Sequence, residues 1–271
     1  MRDDIARYNK ERWEELARAN VAFSRPVLDL DETSARKMVD PEGKMGEVAG
    51  KDVLCLAGGG GQQSAAFALL GAHVTVLDLS ETQLARDREA ARHYGTKVRA
   101  IQGDMRDLSC FDDDSFDLVW HAHSLSFAPD ARRVFDEVAR VIRPAGRYRL
   151  DWTNPFIHGV WENWDGKGYA LCRPYLDESE VTYKDTQWDF DDGAGERRRV
   201  EGPREFRHAL GAIVNGLIAR GFVVLGLWEG SDCADINAEP GSWQHFQATV
   251  PPWLILWAEY QPPGADASRR R

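Results

Sequence analysis

The chain has 271 residues, 43% hydrophobic and 29% charged, enough for one large domain, or one domain with an insertion, around a sizeable core. A net charge of −10 argues against a nucleic-acid surface, which needs a basic face. No apolar run reaches membrane-spanning length, and the start MRDDIARYNKERWEE is too charged for a secretory signal.

Cys55, Cys110, Cys172 and Cys233 are far apart, without paired metal spacing, and read as free thiols of a soluble cytoplasmic protein. Along the chain, Ile5, Tyr8, Trp13, Leu16 and Ala17 recur near helical spacing and predict a helix over 4–19. A proline-containing connection over 25–30 leads to a short helix at 33–38, halted near Pro41 and Gly43. From Lys51 the pattern alternates. DVLCLA predicts a strand, 63–70 a helix stopped at Gly71, HVTVLD a second strand, and Ser80 the cap of a helix through Arg92. KVRAIQGD is the third strand and FDLVWHAHS the fourth. A helix opened by Asp130 runs to Ile142, the RPAG turn stops it, and GRYRLDW is the fifth strand. Residues 154–180 are aromatic and irregular, and a hairpin over 181–200 turns at DDGAG. A helix over 204–220, the strand FVVLGLWE, a polar loop and the strand PPWLILWAEY follow, before a tail composed for disorder. Strands alternating with helices imply a doubly wound α/β fold with a mostly parallel sheet.

The first strand runs into four consecutive glycines, Gly58, Gly59, Gly60 and Gly61, at a helix start. Such a loop permits positive φ and lets a ligand lie against bare backbone near unpaired N–H groups. The dinucleotide fingerprint wants a third small residue where Gln62, Gln63 and Ser64 stand, so the match to it is poor.

These residues resemble the class I S-adenosylmethionine-dependent methyltransferases over roughly 51–260. The family's first motif falls on Cys55, Ala57, Gly59 and Gly61, its second on Asp78, its third on Gln102, Gly103, Asp104 and Met105. Cys55 and Ala57 depart from the usual acidic residue and glycine. The resemblance implies a Rossmann-like sheet of seven strands with an antiparallel C-terminal strand and S-adenosylmethionine as cofactor. It divides the chain into an N-terminal helical lid at 1–45, a methyltransferase domain at 46–262 with a cap insertion at about 153–202, and a disordered tail at 263–271. It implies a cofactor site of Ala57 to Gln63, Asp78, Leu79, Gln83, Gly103, Asp104, Met105 and His121, with Asp78 on the ribose and Asp104 on the adenine amino group.

The acceptor chemistry is expected at the end of the fourth strand. His121 and His123 share a face if the strand persists, and either could deprotonate or orient an acceptor; His208 is a further candidate. No third or fourth ligand stands near the histidine pair, so no metal is expected. A small aromatic or apolar acceptor, methylated on oxygen, nitrogen or carbon, is expected among Tyr8, Trp13, Ser126, Trp152, Phe156, Trp161 and Trp164. Two alternatives stay open: a cofactor-binding regulatory protein with a degraded site, and a nicotinamide-dependent oxidoreductase. The sequence leaves the oligomeric state open.

Overall fold

The computed structural model describes residues 2–262; residues 1 and 263–271, which hold the predicted tail, lie outside the described residues. Helix α1 (Arg2–Arg18) and helix α2 (Glu32–Val39) precede the sheet, and Asp31 and Ser34 form a reciprocal capping box at the start of α2. The first four sheet strands are β1 (Asp52–Leu56), β2 (His73–Asp78), β3 (Val98–Gln102) and β4 (Phe116–His121). Between them lie α3 (Gln63–Leu69) and α4 (Glu81–His93), with Ser80 capping α4 by accepting from the Gln83 amide at 3.1 Å. Helix α5 (Ala131–Val141) is capped by Asp130 and buries Val134, Phe135, Val138 and Val141 at helical spacing before β5 (Ile142–Thr153).

The cap over 154–209 holds β6 (Glu180–Val181), the hairpin β7 (Gln187–Asp191) and β8 (Arg197–Glu201), and β9 (Glu205–Phe206), which pairs with β6. Helix α6 (Leu210–Ile218), β10 (Phe222–Gly230), α7 (Trp243–Thr249) and β11 (Trp253–Tyr260) complete the chain. The sheet order is β10-β11-β5-β4-β1-β2-β3. Its strands are parallel from β3 to β5, and β11 runs antiparallel between β5 and β10. This is the doubly wound, seven-stranded fold expected. Leu54, Leu56, Val119, Tyr148 and Leu150 pack beneath α5 and α6 on one face; Val53, Cys55, Val76, Trp120 and Trp257 pack with α2 and α3 on the other.

Four local expectations differ. The RPAG turn sits inside β5: pairing with β4 jumps from Phe116–Ile142 to Leu118–Arg147, with Ala145 at φ +63° absorbing the kink. The helix predicted over 204–220 begins at Leu210, because the Arg204 amide donates to Asn9 and the Arg207 amide to Ser179, which fixes that stretch as strand. The polar loop before β11 contains α7, capped by Ser242. The predicted lid at 1–45 splits in two: α1 lies toward the cap, whereas Ala35 and Val39 of α2 belong to the core beneath the sheet. Among the described residues no helix is long and apolar enough to cross a membrane.

Candidate active site

A cavity of about 930 Å³ opens over the carboxyl ends of β1, β2, β3, β4 and β5 and beneath the cap. The strand tips are brought level by register: Leu56 pairs with Leu77 and His121, Asp78 with Gln102, and His121 with Leu150.

At one end, the Gly59 amide donates to Asp78 Oδ2 at 3.0 Å and the Ser80 amide to Oδ1 at 2.8 Å. Burial pushes the Asp78 carboxyl up to about 6 against these amide bonds. A Cβ on Gly59 would meet Gln83 Cβ at 2.7 Å and Asp78 Oδ2 at 2.9 Å, so this position admits no side chain. Ala57 holds φ +46°, a left-handed turn that favours the glycine it replaces. Gly60 and Gly61 turn away from the cavity: their amides donate to Asp87 Oδ2 and Oδ1 at 3.1 and 3.0 Å, and Ser64 Oγ donates to Oδ1. Asp87, fully buried on α4, is raised to about 7 chiefly by burial, with the nearby Asp78 carboxylate adding to it. Asp104 is gripped by Arg106, whose Nε lies 3.0 Å from both carboxylate oxygens.

At the other end, His123 Nδ1 lies 2.9 Å from Asp151 Oδ1 and Nε2 lies 3.1 Å from Thr153 Oγ1, whose hydroxyl donates to Nε2 in the tautomer described next while its oxygen accepts from Ser126 Oγ at 3.1 Å. With Nδ1–H donating to the carboxylate, Nε2 carries the lone pair. Trp253 packs on the ring at 4.5 Å, and Trp243 and Trp161 continue that wall. His158 lines the cavity at 4% exposure, and neither ring nitrogen has a hydrogen-bond partner among the described residues; burial, then the Arg207 cation, hold it down to about 3. A second ring cluster joins Trp13 of α1 to Phe23, Phe127 and Trp188 of the hairpin, at 5.1–5.9 Å.

Of the expected cofactor residues, Ala57, Gly58, Gly59, Gln62 and Gln63 line the cavity, as do Asp78, Leu79, Gln83, Gly103, Asp104 and Met105. Gly60, Gly61 and His121 do not. β4 ends at His121, so the shared face does not extend to His123. The fully buried His121 ring points into the core, 2.9 Å from the Tyr148 hydroxyl, and burial lowers it to about 3. His208 is also buried away from the cavity, with Nε2 donating to the Ala128 carbonyl at 2.9 Å. Of the acceptor candidates, Trp13 and Trp161 line the cavity. Trp152 is in the core, Ser126 lies behind Thr153, and Tyr8 reaches toward Glu201. Phe156 stacks on Tyr175 at the surface and Trp164 packs on Tyr169 and His245.

Sequence reasoning passed over Asp87, Asp151, Thr153, Trp188, Glu205, Trp243 and Trp253, and counted His158 only among the rings of the insertion after the fifth strand. The signal for two of them was present in β5, where Tyr148, Leu150 and Trp152 alternate with Arg149, Asp151 and Thr153. The polar set faces the opposite side of the sheet from Tyr148, Leu150 and Trp152; there Arg149 stacks over Trp120, and Asp151 and Thr153, nearer the strand end, reach the cavity.

An open doubly wound sheet with its cavity at the carboxyl ends of the strands is the architecture of α/β enzymes that bind nucleotide-like cofactors. A methyltransferase-domain family model matches residues 54–150. The Bacillus subtilis uncharacterized methyltransferase YbaJ is 33% identical over 187 residues, covering 67% of this chain and 69% of that protein. Demethylmenaquinone methyltransferase of Clavibacter sepedonicus is 42% identical over 120 residues, 44% of this chain and 48% of that protein. In fold, an S-adenosylmethionine-dependent methyltransferase from Mesorhizobium loti superposes with TM-score 0.57 over 86% of this chain and 100% of that chain, at 22% identity. The chain therefore belongs to the class I S-adenosylmethionine-dependent methyltransferases, and S-adenosylmethionine is its cofactor.

The residues present fit that group. Asp78 keeps lone pairs after its two amide bonds, the bare Gly59 backbone leaves a cradle that any Cβ would fill, and the buried Gln83 Oε1 on the cavity has no partner among the described residues.

Proposed function

We propose that the protein methylates a small acceptor with an aromatic or apolar body, seated beneath the cap, with His123 as its base. The observation that carries this is one cavity lined both by Asp78 and Asp104 and by the His123–Asp151 pair. Its volume is at the upper end of the roughly 300–1,000 Å³ typical of small-molecule sites, which suits two ligands side by side. The relative from Clavibacter is named for a small-molecule acceptor, which supports the same reading.

In this reading Asp78 accepts from the ribose hydroxyls, Asp104 and Met105 hold the adenine, and Gly58, Gly59 and Gln63 hold the methionine end. The bound cofactor supplies a methyl group on a positively charged sulfur, open to in-line displacement. The chain's own part is alignment, exclusion of water and removal of one proton. His123 Nε2 takes that proton, and Asp151 stabilises the resulting imidazolium. The Trp161, Trp243 and Trp253 wall holds the acceptor's flat body.

The test is release of S-adenosylhomocysteine over a panel of small acceptors. His123→Gln should lower turnover at saturating cofactor by about a hundredfold, the lower end for a positioned base. Unchanged turnover removes His123 from the chemistry, and binding without turnover on any acceptor favours the regulatory alternative.

A further inference from the structure

The charges around the acceptor end are one-sided. Among the described residues lining the cavity, Arg106 is the one Lys or Arg, and it is bound to Asp104 at the far end. The acceptor end carries Asp151, Asp185, Asp189, Glu205 and Asp232. Asp185 and Asp189 are tied to Arg199 and Arg197, and Asp151 to His123 and to the buried Arg149 behind it. Asp232 is exposed at the rim and takes the Gln247 amide. Glu205 is different. β9 sets it on the cavity, and its recorded partner is neutral, the Tyr183 hydroxyl donating to Oε2 at 2.8 Å. His123 is the titratable neighbour that acts electrostatically on both Glu205 and His158.

His158 supplies an independent observation. Its ring is buried, lines the same cavity, and neither nitrogen has a partner among the described residues. A buried polar group left unpaired is costly, so this position calls for a polar group from a ligand. Arg207, behind the ring, is committed to the carbonyls of Pro174 and His158.

Resting on the methyltransferase reading above, we propose that the acceptor is an amine on a flat ring system. Glu205 and the His158 lone pair receive the nitrogen's N–H groups, and the Trp253 and Trp161 faces hold the ring. A carboxylate or phosphate acceptor would meet Glu205, which no Lys or Arg pairs with among the described residues lining the cavity. An alcohol would satisfy His158 but leave Glu205 unused. An ammonium gains from the carboxylate and from the indole faces together. The ammonium gives one proton to His123 Nε2, which frees the nitrogen lone pair. That pair forms the N–C bond as the C–S bond breaks with its electrons on sulfur.

The experiment is calorimetric titration of the full chain saturated with S-adenosylhomocysteine, using three probes of one shape: 1-naphthylmethylamine, 1-naphthylmethanol and 1-naphthoate. The amine should bind about tenfold more tightly than the alcohol, as a charge-assisted hydrogen bond warrants, and the acid should not bind. In Glu205→Gln the amine should fall to within about threefold of the alcohol, with S-adenosylhomocysteine affinity retained as the sign of an intact site. An alcohol or acid that equals the amine in the wild-type protein overturns the proposal, as does binding by none of the three. An amine preference that survives Glu205→Gln also overturns it. Failure of S-adenosylhomocysteine itself to bind strikes the underlying reading instead.

Discussion

At the residue scale, the glycine run has two jobs that the sequence could not separate. Gly58 and Gly59 present backbone to the cavity, and the Asp78 carboxylate sits where a Cβ on Gly59 would stand. Gly60 and Gly61 instead give their amides to Asp87, one helix away, a partner that no local pattern in the chain reveals. Two buried carboxyls, Asp78 near 6 and Asp87 near 7, make the loop sensitive to pH. Both are raised above the ordinary carboxylate value, so the folded state holds these protons more tightly than the unfolded chain. The stability they contribute is fully present below about pH 4 and is lost as pH rises through 6 to 7. Cofactor binding has the opposite sign, because the ionised Asp78 accepts the hydroxyls. S-adenosylhomocysteine affinity should therefore rise about tenfold from pH 5 to 7.5, following the ionised fraction of a group near 6. In Asp87→Asn the rise should stay near the same pH, because Asp78 ionises first and is raised by burial and by Glu14, whereas the repulsion between the two carboxylates falls on Asp87. Buried neutral His121 and His158 act oppositely on stability, so the melting-temperature difference between wild type and Asp87→Asn isolates the carboxyl effect and should shrink with rising pH. Affinity that is flat across this range in both proteins would remove Asp78 from the ligand.

At the element scale, boundaries failed wherever a distant partner decided the backbone. β4 was read to Ser124 but stops at His121, and the three residues gained turn His123 toward Asp151 instead of stacking it above His121. The 204–209 stretch has helical composition, yet Asn9 and Ser179 capture its amides. Asn9, fully buried on α1, also donates to the carbonyls of Phe127 and Arg204, and Glu14 accepts from the Glu81 amide at the start of α4. Helix α1 is thus fastened to both the cap and the sheet side, with Trp13 at the centre of the ring cluster over the cavity. Trp13→Ala removes a large ring from three aromatic neighbours, a change that typically costs about 3–5 kcal/mol when the site cannot collapse. Because Trp13 is only partly buried, the loss should fall on closure of this roof more than on the sheet. The expected result is S-adenosylhomocysteine binding weakened about tenfold and faster proteolysis near α1, while the far-ultraviolet circular dichroism is kept. Unchanged binding and cleavage would show that α1 is fastened independently of this ring.

At the scale of the whole molecule, legibility divides along the line between sheet and cap. The parallel half could be read because each strand is a short apolar run closed by a residue with distinctive chemistry, and the sheet places those ends side by side without further information. The cap has no such period. Its cavity residues come from the hairpin and from β9, and they meet Trp243 of α7 and Trp253 of β11 only in three dimensions. The cavity therefore spans two structural regimes, and a ligand filling it should couple them. At a hundredfold excess over its dissociation constant, a ligand adds about 2.7 kcal/mol. For a chain somewhat over 250 residues, this corresponds to a rise in melting temperature of about 5–10 °C. Hydrogen exchange distinguishes where that stability goes. Ligand held only at the strand tips should protect the amides around Gly58, Asp78 and Gly103 and leave the cap alone. With Trp13 and Trp188 closing over the same cavity, S-adenosylhomocysteine should also slow exchange in α1 and in the β7–β8 hairpin, more than tenfold once bound stability exceeds 1.4 kcal/mol. Protection confined to the strand tips would make the cap a cover for the acceptor alone, and would separate the two ends of the cavity into independent sites.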